Sequence, residues 1–368
     1  MPDLQSLIAA MVMGAAVTAV AEVPIDPPTG SRNLEQGRVL FGERSEVVQS
    51  PKHLNFCHGR IHSDGTLLLH HSVGIHGHER SACKLSTDGG KSWIDPGHPV
   101  PANTAFARQD GTSGKINAWD LQVSDTHEID VAVYDRDHKT VISQKKQTVK
   151  LPFKAGMCIH GHPKRLKNGT LIANAYGRDG APENKLCSYF IASHDDGDTW
   201  EFFARPFPGT LPYGKDEGPG EGVMVEAADG SLLAFCRTGD LSRHNNVPLI
   251  QSRSTDGGKS WSTPEVIAKY GVSPDAELLA NNTLVVVSGR PGIYLLVDFT
   301  GTGRKYERVE IFQAPDRYQS SSYCSIPQIA DDAVLLLYDI SSFSTYTDQR
   351  KINHIFALPI TFKNSLVF

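Results

Sequence analysis

One octapeptide, S-x-D-x-G-x-[ST]-W, occurs three times in the chain: STDGGKSW from Ser86 to Trp93, SHDDGDTW from Ser193 to Trp200, and STDGGKSW again from Ser254 to Trp261. Its residue types suit a tight turn between two strands. The Asp side chain accepts hydrogen bonds from the turn's own N–H groups, a Gly supplies positive φ, and the Trp packs the following strand onto a core. A box that recurs in this way marks a stack of similar supersecondary units.

The boxes start 107 residues apart (86 to 193) and then 61 apart (193 to 254). The first interval therefore holds two units, one of which has lost its box. Lys115 to Phe153, with the alternating runs IDVAVYD and TVISQKK, supplies strands for that unit. Val297 to Tyr306 (VDFTGTGRKY) reads as a decayed box. A strand, a short turn and a second apolar strand recur at RIHSDGTLLLHH (Arg60 to His71), RLKNGTLIANA (Arg165 to Ala175), EAADGSLLAFCR (Glu226 to Arg237), ELLANNTLVVVS (Glu277 to Ser288) and QIADDAVLLLYD (Gln328 to Asp339). No amphipathic helix of useful length is legible. At about 57 residues per unit the chain accommodates about six units, the size of four-stranded propeller blades. Strands around Ile352 to Phe362 are expected to pair with the start near Arg38 to Val48 and close the ring.

Composition narrows the function classes. With 36 basic and 41 acidic residues among 368, the formal net charge is −5 and no basic tract is present, which argues against a nucleic-acid partner. The apolar run Leu7 to Ala21 ends in Ala19-Val20-Ala21, a small-x-small cleavage pattern, and is short for a membrane span. Residues 1–21 are thus expected to be a signal peptide of a secreted or periplasmic protein, without membrane insertion. Residues 22–368 are expected to form a single six-bladed domain. The six cysteines lack metal-ribbon spacing and sit in apolar runs, as buried free thiols do.

Boxes and hairpins together resemble the sialidase (neuraminidase) superfamily, six-bladed propellers whose boxes are called Asp boxes. The resemblance covers nearly the whole chain after the leader. It implies a Tyr nucleophile in the last blade, and Tyr323 in Tyr323-Cys324-Ser325-Ile326 stands at the matching distance from the Asp331-Asp332 turn. The partner Glu of the family matches Glu221 in GEGVMVEAADG. Both lie nine residues before the aligned turn position, Asp332 and Gly230. Each is therefore expected to open an inner strand near the axis. The second and third arginines that hold a sugar carboxylate in the family match Arg237 (LLAFCR) and Arg290 (SGRPGIYLL). Two departures stand out. The first family Arg should fall near Asn55, where the chain reads HLNFCHGRI with Arg60 out of register, and the loop His70 to Lys84 has no Asp for the general acid, only Glu79.

Seven of the 15 histidines, His53, His58, His62, His70, His71, His76 and His78, crowd into that same region, and His160 and His162 follow at period two. Such pairs face one way on a strand and suit acid–base work or metal ligation. The leading expectation is an all-β, six-bladed propeller that acts as a retaining sialidase-like glycosidase on a glycan with an acidic terminal sugar. Tyr323 and Glu221 would do the covalent chemistry, Glu79 or His78 would protonate the leaving oxygen, and Arg237, Arg290, His58, His160 and His162 would bind substrate. No cofactor and no metal are expected. Two alternatives stay open: a propeller polysaccharide lyase or other glycosidase built on the histidines and Tyr323, and a non-catalytic carbohydrate-binding propeller.

Overall fold

The computed structural model describes residues 28–365 apart from positions 63, 75–79, 99–103, 136–138, 181, 210, 213–216, 240–246, 314–319 and 342–351. The leader 1–21, His76, His78 and Glu79 lie outside the described residues. Within them the fold is all-β, without a helix.

Each intact Asp box forms the turn that its residues predict. Asp88, Asp195 and Asp256 accept from the backbone N–H four residues on, at Ser92 (3.0 Å), Thr199 (2.8 Å) and Ser260 (2.9 Å). The indole N–H of Trp93, Trp200 and Trp261 reaches back to the carbonyl of Gly90, Gly197 and Gly258 at 3.0–3.1 Å. Those three glycines hold φ of +89°, +94° and +92°, which a side chain would oppose. Asp298 makes the same kind of turn in the decayed box, accepting from the backbone of Thr300 and Gly303.

The strands assemble into five antiparallel sheets. Leu54–Ile61, Leu67–Val73 and Arg80–Ser86 form the first. Two are four-stranded meanders, Gly222–Glu226 to Glu265–Ala268 and Asp275–Leu278 to Glu307–Phe312. In a six-stranded sheet the C-terminal strand Asn353–Asn364 lies against Ala333–Ile340 on one side and the N-terminal strands Gly37–Phe41 and Ser45–Ser50 on the other, the pairing of the chain's two ends that the sequence predicts. The remaining sheet has seven strands, from Ala105–Ala107 to Glu201–Ala204.

That seven-stranded sheet explains the long interval between boxes. Its 25-residue strand Val141–Arg165 pairs with Trp119–Tyr134 from Val141 to Cys158. After register shifts near Ala155 and Met157, it pairs from Cys158 with Leu171–Arg178. One strand thus ends one hairpin group and begins the next. The hairpin turn also occurs once more than the sequence pattern suggested. The backbone bonds that close the turns at Gly65, Gly169, Gly230 and Asn282 recur at Gly111, between Ala105–Ala107 and Ser113–Asn117.

Apolar side chains between the sheets form contiguous cores, and Trp200, Tyr189 and Phe235 are fully buried in them. Central strands such as Leu284–Gly289 and Ile293–Asp298 are buried on both faces, which is why they read as unbroken apolar runs. All six cysteines are buried and free, as their apolar neighbours predicted.

Candidate functional site

Glu221 stands at the entrance to Gly222–Glu226, and Arg237 ends the strand paired with it; their backbones are joined by Arg237 N–H to Glu221 C=O at 3.0 Å. A Cβ on Gly222 would lie 2.6 Å from the Phe235 carbonyl, so only glycine permits this close turn into the strand. Tyr323, from the far end of the chain, donates its hydroxyl proton to Glu221 Oε1. The Arg237 guanidinium binds Glu221 Oε2 at 2.9 Å, the Tyr323 hydroxyl at 3.3 Å and Glu217 Oε1 at 3.1 Å. Tyr323, Glu221 and Arg237 are all buried. Arg237 is therefore a shared counter-ion of two glutamates, where the sequence reading gave it only a substrate-clamping role.

Tyr323 does not open a regular inner strand. Its segment pairs with Ala333–Ile340 only through the isolated bridge Ser325–Leu337, because side chains hold it instead. Ser321 donates its backbone N–H to Asp339 Oδ2 at 2.8 Å and its hydroxyl to Oδ1, and Tyr323 C=O accepts from Cys57 N–H at 2.9 Å. The Phe56 ring meets Tyr323 edge-on at 4.5 Å, and the Arg290 guanidinium lies 5.4 Å from the Tyr323 ring centre. Phe56, Ser322 and Arg290 have φ of +56°, +58° and +64°, so left-handed backbone at non-glycine residues gathers around this tyrosine. Strain of that kind persists where surrounding contacts over-determine it.

Electrostatics separate the two partners. Burial pushes the Glu221 carboxyl up, but Arg237, His160 and the hydrogen bonds from Tyr323 and Arg237 outweigh it and hold it at about 2. Burial and then the Glu221 charge push the Tyr323 phenol well above its ordinary range. At neutral pH the proton sits on the phenol and the charge on the carboxylate. Asp339 beneath them is raised to about 7 by burial, against the pull of its Ser321 hydrogen bonds and of Arg290.

The histidines form the adjoining wall. The His160 ring lies 5.7 Å from Tyr323 and 5.8 Å from His58, and the His162 ring 5.4 Å from His58. His160 Nε2 meets Ser273 Oγ at 3.0 Å. Burial lowers the pKa of all three imidazoles, which are neutral at pH 7. Among the described residues no group of three His, Cys, Asp or Glu side chains is placed to hold a metal ion. Beside the pair runs a cavity whose walls include His58, His160, His162, Val223, Asp275 and Ser325.

Four site residues escaped the sequence reading. Glu217 had no signal beyond its place in an irregular loop. Phe56 and Ser273 did have one, which also ties in His160. Each stands nine residues before the second residue of its hairpin turn (Gly65, Asn282, Gly169), the register of Glu221 and Tyr323. Tyr176, 6.1 Å from His160, follows Gly169 by seven residues, as Arg237 follows Gly230.

No curated protein sequence matches the chain. Among solved structures, a Dyadobacter fermentans protein of unknown function is similar over 88% of this chain and 99% of its own, at 17% identity and a TM-score of 0.68. The Hadza microbial sialidase Hz136 is similar over 85% of this chain and 66% of its own (17% identity, TM-score 0.58). A Penicillium chrysogenum alpha-L-arabinanase is similar over 88% and 98% (13% identity, TM-score 0.60). At such identities the likeness is one of fold. The family model described as a BNR repeat-like domain matches residues 126–332, more than half of the sequence. The chain therefore belongs to the family of proteins with a BNR repeat-like domain.

Proposed function

We propose that the protein is an exported, six-bladed propeller glycosidase of sialidase type, with residues 22–368 as its single domain. Six blades follow if the seven-stranded sheet is two blades sharing Val141–Arg165. The observation that carries the activity is the Tyr323–Glu221 hydrogen bond with Arg237 touching both groups.

As Tyr323 Oη bonds to the anomeric carbon, its proton passes to Glu221 Oε1 and the glycosidic bond breaks. A neutral phenol approaches an anionic sugar without charge repulsion. Arg290 and Arg237 supply the positive charge that receives the sugar carboxylate. The leaving oxygen takes its proton from Glu79 or His78, residues outside the described part of the structure. Water then releases the sugar from Tyr323, giving one proton to the group that had protonated the leaving oxygen, while Glu221 returns its proton to the phenol.

A second reading has one specific support, the packing of His160 against Tyr323. A neutral imidazole packed against a neutral phenol also suits abstraction of the proton α to a uronate carboxylate, the chemistry of a lyase. A fluorogenic α-sialoside separates the two. Fluorophore release is the expected result. No release, with growth of unsaturated-uronate absorbance on acidic polysaccharide, transfers the site to the lyase reading, and silence in both assays overturns an enzymatic role.

A further inference from the structure

Arg60 is out of register for a family arginine. It shares one face of Leu54–Ile61 with His58, and His58 stands opposite His70 on the neighbouring strand. Arg60 is only 7% exposed, yet none of its three guanidinium nitrogens has a hydrogen-bond partner among the described residues. The same holds for His58 Nε2, His70 Nδ1 and His162 Nε2. His58 and His162 line the cavity beside the Tyr323–Glu221 pair, so this cluster reaches its wall.

Three buried side chains and the half-buried His162, all with unpartnered ring or guanidinium nitrogens, are costly, and a charged guanidinium most of all. The groups facing the cluster offer no relief. His71 and Lys115 face His70, the Cys83 thiol faces Arg60, and His160 faces His58. The one carboxylate facing His162, Asp275, is bound by Lys164 at 2.8 Å. Asp130 likewise faces Lys115, and Glu277 shares Lys164 at 3.0 Å, so these carboxylates are engaged with lysines and Arg60 is left without an anionic partner.

We propose that Arg60, His58, His70 and His162 form an oxyanion subsite, distinct from the Tyr323 centre, that takes a sulfate or carboxylate group. A guanidinium fork matches either group, and an oxyanion has enough lone pairs for the imidazole donors as well. The group is borne by the glycan next to the sugar at Tyr323, a part of the inference that rests on the proposed activity, or is a free inorganic anion. His162 Nδ1 lies 3.2 Å from the Ala105 carbonyl and so carries the ring proton, which leaves a lone pair on Nε2. Nε2 must gain a proton to donate to the anion. Burial, and then Arg60, hold this imidazole at about 3 in the free protein. Anion binding therefore takes up a proton and tightens as pH falls, by about tenfold per pH unit for one proton.

The test is thermal unfolding of the whole chain in sodium sulfate at pH 5.5 and 7.0, against sodium chloride of equal ionic strength. Sulfate is expected to raise the melting temperature of the wild type by about 3 °C near saturation, at lower concentration at the lower pH. Arg60→Met is expected to melt no lower than wild type without sulfate, because it removes a buried unpaired charge, and to lose the sulfate response. Tyr323→Phe is expected to keep that response, so the subsite stands or falls separately from the glycosidase reading. Displacement of sulfate by a sulfated or uronate-bearing oligosaccharide identifies the glycan as the source, and retention of the sulfate response without displacement identifies the free ion. An Arg60→Met protein that responds like wild type, one destabilised by several degrees without sulfate, or a wild type that does not distinguish sulfate from chloride, overturns the proposal.

Discussion

Tyr323→Phe is expected to lower turnover of a fluorogenic α-sialoside by about 10³-fold or more while leaving the fold intact. The phenylalanine keeps the ring that packs on Phe56, His160 and Arg290, so its contacts in the buried segment survive. Only the hydroxyl goes. Its loss removes one hydrogen bond to Glu221, whose other oxygen stays bound to Arg237, and costs about 1 kcal/mol of stability. A large fall in kcat with a small change in melting temperature is the signature of a lost nucleophile. If the Tyr323→Phe protein kept near wild-type turnover, Tyr323 would be a packing residue.

Arg237→Met is expected to act in the opposite proportion, on stability as strongly as on activity. Met replaces much of the buried stem but leaves Glu221 without its nearest cation and Glu217 without its partner. Breaking a buried pair from one side costs about 3–5 kcal/mol. The pH dependence gives the sign. In the wild type Glu221 is held at about 2, below its unfolded value, so its pairing stabilises the protein above the unfolded carboxylate pKa, an effect lost as pH falls toward 2. Without Arg237, burial prevails and the carboxyl rises. The gap in melting temperature between variant and wild type should therefore be widest at neutral pH and narrow below about pH 4. A gap that stays constant from pH 7 to 4 would mean that Arg237 acts through packing alone.

The sequence carried more of the fold than of the site, for reasons particular residues make plain. The Asp boxes and hairpin turns are local, their bonds closing within a few residues, so Asp88, Asp195 and Asp256 behave as their octapeptides predict. The double role of Val141–Arg165 is not local. It depends on register shifts between Lys150 and Met157 in a run without a turn signal. At the site, Tyr323 and Glu221 were legible because a register count links them to hairpin turns. The same count reaches Phe56, His160 and Ser273, but the family pattern directed attention to Tyr, Glu and Arg. Glu217 was hidden because an irregular loop has no register to count. The shared use of Arg237 was equally hidden, since pairing between buried charges depends on distances no sequence spacing encodes.

In the proposed reaction Tyr323, activated by Glu221, forms the bond to the sugar. The most direct test of that bond is mass spectrometry after incubation with a fluorinated sialic acid, whose fluorine destabilises the oxocarbenium-like transition state and slows hydrolysis of a covalent intermediate. The account predicts one sugar adduct on the tryptic peptide from Tyr318 to Arg350, assigned by fragmentation to Tyr323 and absent from Tyr323→Phe. An adduct on another residue, or steady hydrolysis of sialosides with no adduct at all, would contradict it.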